Sequence, residues 1–212
     1  MYRINDTFNR MYEPAEWFDA QEAEDVTTWY PESGRILGVY ANAGSIAVAE
    51  RAGLLPADIK RVFEFGSGTG EGLIALNMLA QNQGAETTIV GSEITAEDRR
   101  VCLMVAEILD RVVDVVPDGI VALRGAQSEF DLVVANMFGP SYDSQDRVAA
   151  FMPPAVRALT QKGALLVNSD TDTMKNVVDW ADANLGEHQV NVVGAEGLPS
   201  GFINMPHLVV RR

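Results

Sequence analysis

The sequence predicts a three-layer α/β sandwich, with helices covering a mostly parallel seven-stranded sheet whose last strand runs antiparallel. Three observations carry that expectation. Short β-branched runs alternate with helical stretches, the pattern of strand–helix–strand units. The first of these runs, Val62-Phe63-Glu64-Phe65, ends in the glycine turn Gly66-Ser67-Gly68-Thr69-Gly70. The final two runs lie only about 13 residues apart, too close for a helical crossover, so they should pair antiparallel.

The elements follow in order. After the glycine turn, Leu73, Ile74, Leu76, Met78 and Leu79 make residues 71–81 a helix apolar enough to lie on a sheet. Residues 87–93 form the second strand, ending in the acid Glu93. The next crossover spans 97–110, with Thr95 as N-cap and Asp98 three residues on, close to a capping box. A third strand, 112–116, ends at Pro117-Asp118-Gly119, and a fourth covers 130–136. Residues 146–159 read as a helix that Pro153-Pro154 interrupts or restarts. The fifth strand, 163–168, follows Leu159-Thr160-Gln161-Lys162-Gly163. Met174, Val177, Val178, Ala181 and Leu185 share one face of a helix over 171–185, and residues 189–193 and 207–211 supply the last two strands. Upstream, residues 5–18 and 45–52 look helical, the latter ended by Gly53 and Pro56. Two units are therefore expected: a helical appendage over 1–57, which could act as a lid, and the α/β domain over 58–212. Trp29, Tyr30 and Tyr40 either line that lid or anchor helices on the sheet.

The glycine turn is the strongest functional signal. Glycine lets backbone approach a ligand and adopts positive φ, and the helix after it directs its positive end at the site. A dinucleotide fingerprint spaces its glycines G-x-G-x-x-G. Here they read G-x-G-x-G, with Glu64 two residues before the first. With Glu93 some twenty residues on, Asp118 after the third strand, the Phe130-Asp131-Leu132-Val133 run and the lysine–glycine approach to the fifth strand, the chain resembles the class I, Rossmann-like S-adenosylmethionine-dependent methyltransferases over roughly residues 58–212.

The resemblance implies a cofactor, S-adenosyl-L-methionine, with S-adenosyl-L-homocysteine as product. It implies a binding site of Glu64, Gly66, Ser67, Gly68, Gly70, Glu93, Ile94, Asp118, Gly119 and Asn136. Glu64 would meet the ammonium of the amino-acid portion, Glu93 the ribose hydroxyls and Asp118 the adenine amino group. A methyl acceptor belongs beyond the carboxyl end of the fourth strand, at Asn136-Met137-Phe138-Gly139-Pro140. Enzymes of this kind that methylate adenine or glutamine carry Asn/Asp-Pro-Pro-aromatic there, and Met137 and Phe138 depart from it. Ala135-Asn136-Met137 is closer to the Ala-Asn-Ile of ribosomal-protein lysine methyltransferases. Asn136, His207 and Tyr142 are the candidate catalytic residues, with Asp143 a further candidate base and His188 a surface residue.

Composition narrows the reading. Sixteen basic against thirty acidic residues give a net charge of −14, which disfavours nucleic acid as a partner and suits a small molecule or a basic protein. No apolar run approaches the ~20 residues of a membrane span, and the N-terminus lacks a secretory pattern, so a cytoplasmic enzyme is expected. Cys102 is the single cysteine, which excludes an internal disulfide or a cysteine zinc site, and its helical surroundings suggest a buried, inert thiol; no metal is expected. The expected activity is methyl transfer to a small molecule. Transfer to a protein amine, an NAD-dependent oxidoreductase and a non-catalytic binding module are the alternatives.

Overall fold

Helix α1 (Pro31–Arg51) runs much further than the stretch over 45–52 that the sequence suggested. Gly34, Gly38 and Gly44 weaken local helix propensity, and burial of Val39, Ala43, Ile46, Ala47 and Ala49 overrides it. Its C-terminus closes as expected. Gly53 (φ 68°) donates to the Glu50 carbonyl at 2.9 Å and Leu54 to the Ala49 carbonyl at 3.0 Å, the paired bonds of a Schellman cap. The structure is a computed structural model that describes residues 31–83, 86–136, 145–169, 171–186, 189–193 and 207–212. The proposed helix over 5–18, Trp29, Tyr30, Tyr142, Asp143 and His188 lie outside the described residues.

The remaining elements are β1 (Arg61–Phe65), α2 (Glu71–Gln83), β2 (Thr88–Ser92), α3 (Ala96–Ala106), β3 (Val112–Val116), α4 (Gly119–Gly125), β4 (Phe130–Ala135), α5 (Gln145–Ala158), β5 (Leu159–Asn168), α6 (Thr171–Asn184), β6 (Gln189–Val193) and β7 (His207–Arg211). The strands form one seven-stranded sheet in the order β3-β2-β1-β4-β5-β7-β6. The pairs among β1 to β5 are parallel, and β7 runs antiparallel to both its neighbours, β5 and β6. The strand order reverses between β1 and β4, the position at which open sheets of this kind bind ligands.

Alternation along each strand divides the core. Phe63, Phe65, Val133, Leu165 and Val210 pack with α4, α5 and α6 on one face. Val62, Leu132, Val134, Leu166 and Val209 pack with α1, α2 and α3 on the other. Cys102 of α3 is fully buried in this second cluster. Among the described residues no helix is long and apolar enough to cross a membrane.

Several local expectations are corrected. Helix α5 passes through Pro153 and Pro154 without a break. Each proline removes a backbone donor, but Phe151, Met152, Ala155 and Val156, all buried against the sheet, hold the helix across the gap. Thr95 occupies the N-cap position of α3, yet its side chain makes no capping bond, and the helix stops at Ala106 rather than at residue 110. Strand β5 begins at Leu159, with its extra residues absorbed by a register shift opposite Phe130 to Leu132. Helix α4 follows Asp118 directly, an element that the sequence reading did not include.

Asp131 ties the amino-terminal ends of the strands together, far from the glycine turn. Its carboxylate accepts from the amides of Lys60 (2.9 Å) and Arg61 (3.1 Å) and from the Thr160 hydroxyl (3.0 Å). Asp131→Ala should leave those donors to water and lower stability by about 1–3 kcal/mol, measured by urea unfolding.

Candidate active site

The glycine turn gives the site its shape. Gly66, Gly68 and Gly70 all hold positive φ, at 72°, 53° and 100°. A Cβ at Gly66 or Gly68 would meet nothing within 4 Å, so backbone conformation rather than crowding requires glycine there. Side chains from β2 knit the turn down. The Ser67 amide donates to the Ser92 carbonyl (2.7 Å), the Gly66 amide to the Ser92 hydroxyl (3.2 Å), and that hydroxyl donates to the Glu64 carbonyl (3.1 Å).

A cleft of about 670 Å³ opens beside the turn, at the carboxyl ends of β1, β2 and β3. Of the residues expected to hold a cofactor, Gly66, Glu93, Ile94, Asp118 and Gly119 line it. Phe65, Ile120 and Val121 add apolar surface, and Arg124 and Arg147 stand at its rim. The nearly buried Glu93 carboxylate accepts from the Gly68 amide (2.9 Å) and the Thr95 amide (2.8 Å), so it bridges the turn and the β2–α3 loop. A carboxylate has about four acceptor positions, which leaves Glu93 room for further donors. Asp118 caps α4, one oxygen accepting from the Val121 amide at 3.0 Å.

Glu64 and Asn136 lie on the opposite face of the sheet from Phe65. Glu64 is 2% exposed. Its carboxyl presses against the first turn of α2 so closely that a Cβ on Gly72 would sit 1.4 Å from its Oε1. Its Oε2 is buried with no hydrogen-bond partner. Burial drives the acid's pKa up to about 7; the Ser67 hydroxyl opposes the rise and the Glu71 charge adds to it. The same acidic neighbourhood acts on Cys102, where burial first and then Glu64, Glu93 and Glu71 push the thiol to about 12. Cys102 is thus a protonated, inert core residue.

A polar row that the sequence did not reveal extends from Glu64. Glu64 pairs with Val134, and β4 continues in register with β5 from Ala135 opposite Val167. Asn168 in turn pairs with His207 of β7. By alternation, Glu64, Asn136, Asn168 and His207 all project toward α1 from four neighbouring strands. Helix α1 meets them with Asn42 and Ser45, three residues apart on one face. Asn136 Nδ2 donates to Asn42 Oδ1 at 2.6 Å, and Asn168 Nδ2 donates to the Ser45 hydroxyl. His207, fully buried, places Nε2 3.3 Å from Asn168 Nδ2. With the amide as donor, Nε2 is the acceptor, so that nitrogen is already engaged. Asn136 Oδ1 is buried with no partner. The one signal for Asn42 and Ser45 in the sequence is their polarity within an otherwise apolar run, Ala43, Ile46 and Ala47.

No family profile matches the chain, and no curated protein matches it. Solved structures do. A "possible exported protein" of Bordetella parapertussis superposes with a TM-score of 0.54 at 13% identity, over 81% of this chain and 66% of that one. A Streptococcus mutans protein described as a methyltransferase, crystallised in complex with SAH, gives 0.57 at 11% identity over 79% and 96%. TrmN of Thermus thermophilus gives 0.59 at 15% identity over 81% and 48%. This is the fold of the class I methyltransferases. The chain thus spans just under two thirds of the Bordetella protein, about half of TrmN and nearly all of the Streptococcus protein. The N-methyltransferase NodS (0.56), an rRNA methylase of Streptococcus thermophilus (0.57) and spermidine synthase of Thermotoga maritima (0.50) share it too.

The raised Glu64 acid has a consequence for stability. Between about pH 4.5 and 7 the unfolded chain has released this proton and the folded chain retains it, so stability falls as pH rises through that window. Glu64→Gln removes the dependence. Relative to wild type, the variant should gain about 3 kcal/mol on going from pH 4.5 to pH 8, measured by urea unfolding at both pH values.

Proposed function

We propose that the chain is an S-adenosylmethionine-dependent methyltransferase acting on a small-molecule acceptor. The observation that carries this reading is the glycine turn set between a cleft edged by Glu93 and Asp118 and a buried acid, Glu64, with an unpartnered oxygen. Such an acid calls for a donor from a ligand, and an ammonium group supplies one together with the charge that returns Glu64 to its ionised form. Bound S-adenosylmethionine would supply a sulfonium-activated methyl group.

The chain's own residues then divide the work. Gly66, Ser67, Gly68 and Gly70 let backbone approach the ligand, and Glu64 holds its ammonium. Glu93 receives the ribose hydroxyls while keeping the turn in place through the Gly68 amide. Asp118 and Gly119, with Ile94 over them, hold the adenine. Packing also requires glycine at 119, because a Cβ there would come within 2.5 Å of the Ser92 hydroxyl and 2.6 Å of Phe65. Asn136 faces the acceptor, and His207 would act through Asn168 rather than as a base. Positioning supplies most of the rate in such a displacement.

The preference for a small acceptor over nucleic acid rests on the net charge of −14; the fold itself serves both, as the rRNA methylase illustrates. The G-x-G-x-G spacing and the antiparallel β7 favour adenosylmethionine over NAD.

Calorimetry with S-adenosylmethionine, S-adenosylhomocysteine and NAD tests the reading. The first two should bind and NAD should not. Near pH 6, binding should release about one proton as the ammonium takes over Glu64, seen as a dependence of the measured heat on buffer ionisation. Glu93→Ala should weaken adenosylmethionine binding by about 1–3 kcal/mol. NAD binding alone would overturn the reading, and tight adenosylmethionine binding without turnover on any acceptor would make the chain a binding module.

A further inference from the structure

The outer face of α3 carries an apolar stripe that the described residues leave uncovered. Of the seven large apolar side chains exposed among those residues, Leu103, Met104, Ile108 and Val113 all come from α3 and the start of β3. Single exposed apolar residues are ordinary on a surface, whereas a contiguous group marks a contact. Met104 is 61% and Ile108 80% exposed, so neither is tucked under a neighbour. Cys102 and Val105 turn into the core. Arg100, Leu103, Met104, Glu107 and Ile108, spaced by helical turns, share the opposite, exposed side. The helical path continues past Ala106, since the Glu107 amide donates to the Leu103 carbonyl and the Ile108 amide to the Val105 carbonyl, both at 3.0 Å.

Strand β3, beside this helix, is an edge of the sheet. The Asp114 carboxylate accepts from the Val115 amide at 2.8 Å. A charged side chain so placed blunts an edge against the addition of another strand. The contact this face suits is therefore helix to helix.

The stripe is complementary to itself. Positions 100 and 107 lie equally far from the midpoint between Leu103 and Met104. A twofold axis through that midpoint, pairing two α3 helices antiparallel, sets Leu103 against Met104 of the partner subunit and Arg100 against Glu107 of the partner subunit, each contact made twice. Among the described residues neither Arg100 nor Glu107 makes an ion pair within its own chain.

We propose that the protein forms a twofold homodimer through the outer face of α3, with Leu103, Met104 and Ile108 as its apolar centre and Arg100 and Glu107 setting its antiparallel register. This dimer goes beyond the methyltransferase reading and does not depend on it. The helix offers only roughly 16 Å of contact length, so the interface is small and a dissociation constant on the order of 10 µM is expected.

Sedimentation velocity on the full chain tests it over a concentration series spanning that value. Salt at about 0.15 M screens the overall charge of −14 beyond short range. Wild type should pass from monomer to dimer, and Met104→Glu should stay monomeric throughout. Arg100→Glu and Glu107→Arg should each weaken the dimer roughly 10-fold, because like charges then meet at two places. An equimolar mixture of those two single variants should associate as wild type does, since every charge again meets its opposite. The double variant should do the same by itself. All three positions are exposed, so urea midpoints should match wild type. Wild type that remains monomeric at every concentration would overturn the proposal. So would a dimer indifferent to Met104→Glu, or single variants whose mixture fails to associate.

Discussion

The structure turns on a carboxyl group held where water cannot reach it. Glu64 projects from β1 into the junction of α1 and α2, and Gly72 leaves the space that its carboxyl fills. Any side chain at position 72 would have to displace either the acid or the helix. The first turn of α2, the glycine turn before it and the approach of α1 are thus set by one buried acid. Isolating a carboxylate in low dielectric favours its protonated form, which is why its pKa rises to about 7. A fold that keeps such a group does so against its own stability, as sites built to receive charge commonly do.

The two faces of the sheet are treated differently at its carboxyl edge. On the side of α4, α5 and α6 the cluster stays apolar up to Phe65, and the cleft opens above it with Asp118 and Glu93 at its edges. On the side of α1, apolar residues give way to Glu64, Asn136, Asn168 and His207 in a single row. The glycine turn lies between these regions. Helix α1 is what closes the polar side. It shares the core with β1, β4 and β5 through Ile46 and Ala47, and presents Asn42 and Ser45 from the same helix.

Hydrogen bonding explains why this row is ordered rather than merely buried. Each amide is oriented by a neighbour: Asn136 by Asn42, Asn168 by Ser45 and His207. Polar groups in a low-dielectric site define one arrangement well when their partners are complete and are costly when they are not. Glu64 Oε2 and Asn136 Oδ1 are two acceptors of the row that stay without a partner.

The sequence by itself determined the position of the strands along the chain, the glycine turn and the acids that follow it, because these depend on local periodicity and on a few residues close together in the chain. All seven strands lie where β-branched runs placed them, and Gly53 ends α1 through backbone conformation alone. Where neighbours decided, the sequence was silent or misleading. Helix α5 survives Pro153 and Pro154 because the sheet beneath it holds Phe151 and Met152. Helix α1 reaches back to Pro31 because burial outweighs its glycines. Gly72 looks like any helix glycine until the Glu64 side chain is seen against it. Asn42 and Asn136 are 94 positions apart, and Asn168 meets Ser45 across 123. Only strand register and the path of α1 bring those side chains together, since a hydrogen bond over such separations is written in no local pattern.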